Sequence, residues 1–210
     1  MEKFALNSEY KKILSDTITP VSAYLKLRDV FPHSILLESS DYNVNNKDFS
    51  YICCNPIASI KLEKNILSTK FPDGKMSSEK IDKRTNVPER IHKFSKQFKA
   101  KTYGYKFISS GLFGYISHDA VQYFENISLD SKKKGHKIPD IYYAVYQNII
   151  AISLFNHEAH LFSHSLSKEH NLNEIEMLLK TNSLASFSFK KSGKKTSNLK
   201  DDDFIDFVNK

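Results

Sequence analysis

The chain contains no tryptophan, two cysteines and no long apolar run. Each shortage excludes something. Cys53 and Cys54 are adjacent, so they cannot supply a C-x-x-C metal or redox motif. Neighbours on a strand point to opposite faces, which places them badly for bridging each other. Free thiols suit a reducing compartment, so a cytoplasmic protein is expected. The first ten residues, MEKFALNSEY, lack the apolar core of a signal peptide. No segment approaches the roughly 18 apolar residues of a membrane-spanning helix, so no membrane partner is expected. No P-loop, G-x-G-x-x-G fingerprint or G-x-S-x-G elbow occurs. Glu38 and Asp119 would suit an acid/base pair, but nothing in the sequence brings them together. No catalytic residue is assigned.

What is present describes an ordinary folded protein. The missing Trp is offset by 15 Phe and 11 Tyr, and 40% of the 210 residues are hydrophobic. That is enough for one large domain or two small ones. The net charge is +7. A basic balance can mean nucleic acid, an anionic membrane or anionic substrates, and its distribution decides. The dense clusters, Lys132 to Lys134 and Lys190, Lys191, Lys194 and Lys195, sit among Ser, Gly and Asp as solvated loops do. No nucleic-acid partner is expected, and a basic polyanion-binding module is the alternative of a different class.

Periodicity predicts many strands and few helices. Tyr10 to Ser15 reads as a strand, followed by a helix with Thr19 as N-cap and Pro20 at its first position. Val21, Tyr24 and Leu25 give that helix an apolar stripe. Ile35 to Glu38 is a strand, and Asp41 to Asp48 a turn. Phe49 to Cys54, Ala58 to Leu62 and Ile66 to Phe71 are strands, the first two separated at Asn55-Pro56. Residues 73 to 87 read as a loop. Pro88 opens a helix with Ile91, Phe94 and Phe98 on one face. Phe107 to Ile116 is strand-like, with Gly111 and Gly114 marking a bend or close backbone approach. A short helix capped by Ser117 or Asp119 follows. Ile141 to Phe155 and His160 to Ser165 form a hairpin, Asn171 caps a helix, and Phe187 and Phe189 suggest one more strand. Hairpin-length links outnumber βαβ crossovers, so the expected fold is α+β: mostly antiparallel sheets packed as a sandwich with flanking helices.

Ser197 to Asp203 reads as a helix start with acids in the first turn. Phe204, Phe207 and Val208 then form a stripe on barely two turns, which has little to gain alone. The expectation is one domain over residues 1–190, then a linker and the truncated start of a second domain over 191–210.

His157, His160, His164 and His170 invite a metal reading, yet their spacing fits no zinc pattern. Surface histidines are expected, and no metal site. Glu38-Ser39, closing the run Ser34 to Leu37, leaves two readings open. Ser and Asp after an apolar run ordinarily begin a turn. A carboxylate beside a hydroxyl at the rim of an apolar layer also suits a zwitterionic ligand with a large apolar side chain.

Several stretches together resemble a known family. Thr19 to Leu27 (TPVSAYLKL) is similar to its helix signature, and Leu36-Leu37-Glu38-Ser39 matches its L-L-E-S motif. Phe49-Ser50-Tyr51-Ile52 with Asn55-Pro56 resembles its R-Y-S-F-I-G…P segment. Gly111 to Asp119 (GLFGYISHD) with Tyr123-Phe124-Glu125 resembles its G-x-x-G-Y-x-x-Y-D…F-E segment. Pro139-Asp140 before a long apolar strand also fits. The family is anthranilate synthase component I, and the resemblance is to its N-terminal domain. Asp48-Phe49 replaces Arg-Tyr, Cys53 replaces Gly, and His118 stands where Tyr is usual. A related domain occurs in aminodeoxychorismate synthase component I of folate synthesis, which Leu36 to Ser39 does not separate.

The resemblance implies a lyase that, at full length, converts chorismate and glutamine-derived ammonia to anthranilate and pyruvate. Catalysis and Mg2+ would belong to a C-terminal chorismate-binding domain, with no cofactor in this chain, which would be inactive alone. A glutamine amidotransferase subunit, anthranilate synthase component II, would be the partner. L-Tryptophan would bind here as feedback inhibitor, at Leu37, Glu38, Ser39 and Ser50.

Overall fold

The computed structural model describes residues 3–38, 49–82, 85–101, 103–105, 107–125, 127, 138–153, 155–181, 188, 190, 192–193, 197 and 200–209. Among these, nine strands join one mostly antiparallel sheet, and a few short helices flank it. The fold is α+β, as its patterning predicts.

Two long strands form its spine. The third strand, β3 (Phe49–Glu63), pairs antiparallel with β8 (Ile141–Ser153) along almost its whole length. The register shifts between Pro56 and Ala58, and Asn55 takes a left-handed φ of 58°. The Asn55-Pro56 break predicted between two strands is thus an irregularity inside one. A proline lacks the N–H a ladder needs, and such a site bends a strand rather than ending it.

The irregularity divides the sheet's neighbours. On the first half of the spine, β2 (Ile35–Leu37) pairs with β3, while β9 (Glu158–Ser165) pairs with β8 and carries β1 (Phe4–Leu14) beyond it. On the second half, β4 (Ile66–Lys70) and β5 (Met76–Lys80) extend β3, and β7 (Phe113–Ile116) pairs with β8. The strand β6 (Phe98–Ala100) lies parallel to the start of β1.

Two of the helices cover one face of the first half. Helix α1 (Pro20–Arg28) starts where Thr19 accepts a bond from the Ser22 N–H at 3.2 Å. Its inward residues are Pro20, Ala23 and Leu27, whereas Val21 is 49% exposed. The predicted stripe was rotated, because small Ala23 rather than Val21 permits close approach to α3 (Leu172–Lys180) and the sheet. Ile175 and Leu179 of α3 share that core with Ile52, Ile150 and Leu161. Asn171 precedes α3 without a side-chain capping bond. A second core, under α2 (Val87–Ser95), holds Ile60, Leu62, Leu67, Val87 and Phe94. Asn86 caps α2 through the Glu89 N–H at 3.0 Å.

Several expectations needed correction. β1 begins at Phe4, not Tyr10. β5 occupies part of the predicted loop; all five residues are exposed, so no alternation betrays it. Phe98 lies in β6 rather than on α2, yet still packs into the α2 core. Of Phe107 to Ile116, only the last four residues are a strand. The helix after Ser117 is a 3-10 helix, His118–Tyr123. Phe187 and Phe189 lie outside the described residues. Helix α4 (Asp201–Val208) forms as predicted, and Phe204, Ile205, Phe207 and Val208 on it are exposed.

Candidate functional site

Strand β2 ends at Leu37, and Glu38 follows it exposed. Ile35, Leu36 and Leu37 stand opposite Cys53, Ile52 and Tyr51 of β3. Side chains alternate along a strand. Leu36 and Ile52 therefore enter the helix-side core. Ile35, Leu37, Tyr51 and Cys53 take the other face, with Tyr146, Ile149 and Phe162. Ser50 stands opposite Ile152, a helix-side residue, and is 3% exposed. Leu37 and Ser50 thus leave the sheet on opposite faces. Ser39 lies outside the described residues. Of the four candidates, Leu37 and Glu38 adjoin each other at the strand end, and Ser50 lies behind them.

The face that Leu37 shares is aromatic. Tyr10 packs on Phe162 at 5.1 Å between ring centroids, and Phe49 on Phe107 at 4.6 Å. Tyr105 stacks on Phe107 at 4.9 Å, with an interplanar angle of 10°. The Tyr51 hydroxyl accepts the Ile108 N–H at 3.2 Å.

Two histidines belong to this face, and they overturn the expectation of surface histidines. His160 and His164 are four residues apart on β9, so alternation puts them on the same side, flanking Phe162; they are 7% and 1% exposed. His160 lies 4.6 Å from the Phe107 ring and bonds Tyr10 through Nδ1 at 3.0 Å. His164 donates from Nε2 to the Ser109 carbonyl at 2.7 Å, and its Nδ1 meets the Ser8 hydroxyl at 2.9 Å. Burial lowers the pKa of both, partly opposed by Glu158 at His160 and by the Ser109 carbonyl at His164. The i, i+4 spacing on a predicted strand was the sequence signal for shared burial. His157 is exposed in the turn, and His170 bonds Ser163 at 3.2 Å.

Elsewhere the chemistry is quiet. Cys53 and Cys54 are free and buried, and burial pushes the Cys54 thiol up to about 11, opposite to what a nucleophile needs. Glu38 and Asp119 share no contact among the described residues. No group of three His, Cys, Asp or Glu among the described residues is arranged to hold a metal ion. No helix among the described residues is long and apolar enough to cross a membrane. A cavity of about 80 Å³ lies away from β2, lined by Leu6, Phe98, Leu112, Tyr146, Ser110 and His164 among others.

No family model matches the sequence. A curated relative does. The chain is similar to anthranilate synthase component 1. The relative, from Lactococcus lactis subsp. lactis (strain IL1403), is 29% identical over 149 residues, covering 70% of this chain and 30% of the relative. A crystal structure of anthranilate synthase component I from Streptococcus pneumoniae TIGR4 aligns with a TM-score of 0.45 and 20% identity, covering 80% of this chain and 35% of that one. The chain thus spans about a third of the length of these proteins.

Proposed function

We propose that this chain is the N-terminal, effector-binding part of an anthranilate synthase component I. The observation that carries the reading is the 29% identity with the Lactococcus protein over 149 residues. The motifs Leu36 to Ser39 and Gly111 to Asp119 add to it. At full length the protein would convert chorismate and ammonia to anthranilate and pyruvate. The remainder of the chain would bring the chorismate-binding domain and Mg2+, and a glutamine amidotransferase subunit would deliver the ammonia. Residues 1–190 would be the regulatory domain and 191–210 the entry to the next.

The proposed effector is L-tryptophan. Leu37 would wall the indole on the aromatic face, Glu38 would attract the ammonium, and Ser39 would bond a polar end of the ligand. Ser50 is buried on the helix side, so it would act by fixing β3 behind β2 rather than by direct contact. Inhibition requires that tryptophan bind one conformation of the full enzyme better than another, with a coupling of about 1–3 kcal/mol.

The test uses the full-length protein. Ser39→Ala removes one neutral hydrogen bond, about 1 kcal/mol, and should weaken tryptophan inhibition severalfold while turnover stays near normal. Collapsed turnover with inhibition intact would sink the site assignment. Absence of chorismate-dependent anthranilate formation in the native protein would sink the family reading.

A further inference from the structure

The segment Phe107–Leu112 crosses the aromatic face as a strap that leads into β7 and makes no strand pairing. Its ties to other described residues come from side chains. The Tyr51 hydroxyl holds the Ile108 N–H at 3.2 Å, and His164 Nε2 holds the Ser109 carbonyl at 2.7 Å. The Phe107 ring packs on His160 and Phe49, each at 4.6 Å. Just beyond Ser109, residues Ser110, Gly111 and Leu112 wall the 80 Å³ cavity, whose lining also includes His164. Gly111 has a φ of 139°, so the strap turns into β7 at a residue with few steric limits.

His164 joins three elements. Ser8 of β1 stands opposite it in register and bonds Nδ1, and the same hydroxyl accepts the Lys101 N–H at 3.3 Å. Tyr103 donates to the Ser8 carbonyl at 3.2 Å. The Phe162 ring lies alongside at 6.4 Å, and His170, after β9, adds a like charge when protonated. A carbonyl can only accept, so Nε2 carries the proton and Nδ1 accepts from Ser8 in the neutral ring. Protonation makes Nδ1 a donor, forces the Ser8 hydroxyl to turn, and leaves a cation 1% exposed with neutral partners. No carboxylate among the described residues bonds to it. His160 differs: Glu158 lies 3.7 Å from its Nε2, with Lys12 on the same carboxylate at 2.6 Å.

We infer that His164 is a proton-operated latch: neutral, it fastens the Phe107–Leu112 strap over the cavity, and charged, it releases the strap. The strap is the part of this environment held without a backbone ladder, so lifting it is the least costly way to hydrate the charged ring. Release opens the cavity wall formed by Ser110 to Leu112 while the β3–β8 spine stays paired.

Amide hydrogen exchange of the native protein tests this, at pH 7.5 and 5.5 with intrinsic rates corrected. Protection of the Ile108 N–H, held by the Tyr51 hydroxyl, should fall by up to about tenfold per pH unit below the ordinary histidine value, the limit for one proton. Peptides from β3 and β8 should hold. His164→Gln keeps an N–H for Ser109 without titrating, so its strap should be protected equally at both pH values. His160→Gln should leave the pH effect in place. Should His164→Gln fail to fold, nitrogen NMR of the native ring substitutes: the Nε2–H tautomer at pH 7.5, titrating below the ordinary value, is expected. Three results would overturn the latch: a strap indifferent to pH, core and strap loosening together, or a native ring that titrates normally.

Discussion

Gly114 offers the sharpest test of the fold. A Cβ built there would stand 1.9 Å from the Tyr142 carbonyl oxygen and 2.9 Å from both the Tyr142 carbonyl carbon and Tyr143 Cα. Ordinary carbon–oxygen contacts run to about 3.3–3.6 Å, so β7 must retreat by more than an ångström. These three nearest atoms are all backbone, so no rotamer change relieves the clash. The retreat would disturb a ladder in which Phe113, Gly114, Tyr115 and Ile116 oppose Ala144, Tyr143, Tyr142 and Ile141. Overpacking of this kind costs about 1–3 kcal/mol, and each strained ladder bond adds about 1. We expect Gly114→Ala to lose about 3 kcal/mol, which for a chain of this size lowers Tm by about 6–12 °C. Two controls bracket it. At Gly111 a Cβ meets nothing within 4 Å, but φ is 139°, so Gly111→Ala should lose about 1–2 kcal/mol of backbone strain. At Gly104 space is open, and Gly104→Ala should stay within about 0.5 kcal/mol of the parent. Guanidinium unfolding, with m-values compared, ranks the three. Gly114→Ala as mild as Gly104→Ala would refute the close approach of β7 to β8.

Stability should also fall as pH drops from about 6.5 toward 5. The folded-state pKa values of His160 and His164 are depressed, so the unfolded chain binds more protons in that window, and stability present above 6.5 is lost below it. The limit is about 1.4 kcal/mol per pH unit for each histidine, read by denaturant titration at several pH values; a flat profile would contradict their burial. The carboxylates Glu158 and Glu176 have lowered pKa values through Lys12 and Lys11, so their losses come at more acid pH. Lys26 Nζ donates to the Leu179 and Thr181 carbonyls at 2.8 and 2.7 Å, closing the end of α3 from α1. Lys26→Met should cost about 1–2 kcal/mol in thermal melts, since two charge-assisted bonds are lost while the alkyl stem is kept. An unchanged Tm would show that water serves those carbonyls equally well.

Local chemistry was enough to determine the helix start at Thr19-Pro20, where an extended Thr19 supplies an acceptor and proline a fixed φ. The same holds for the β8–β9 hairpin, a long apolar run turning at Asn156-His157 and returning. Gly111 and Gly114 were legible as a bend and a close approach, because only a missing Cβ serves either purpose. Leu36 and Leu37 were legible as the end of a strand beside a core. Tertiary structure decided the rest. β5 and β6 exist because β4 and β1 present open ladder groups to them, not because their own residues alternate. Val21 faces solvent because Ala23 fits the gap between α3 and the sheet. Proline at 56 sits within β3 because β8 holds the strand on both sides of the irregularity. His160 and His164 are buried because β1 and the strap close over β9, and sequence carries the spacing of two rings but not which surface will be covered. Ser50 turned from Leu37 for the same reason: parity along a strand is local, whereas the identity of each face is set by what packs against it.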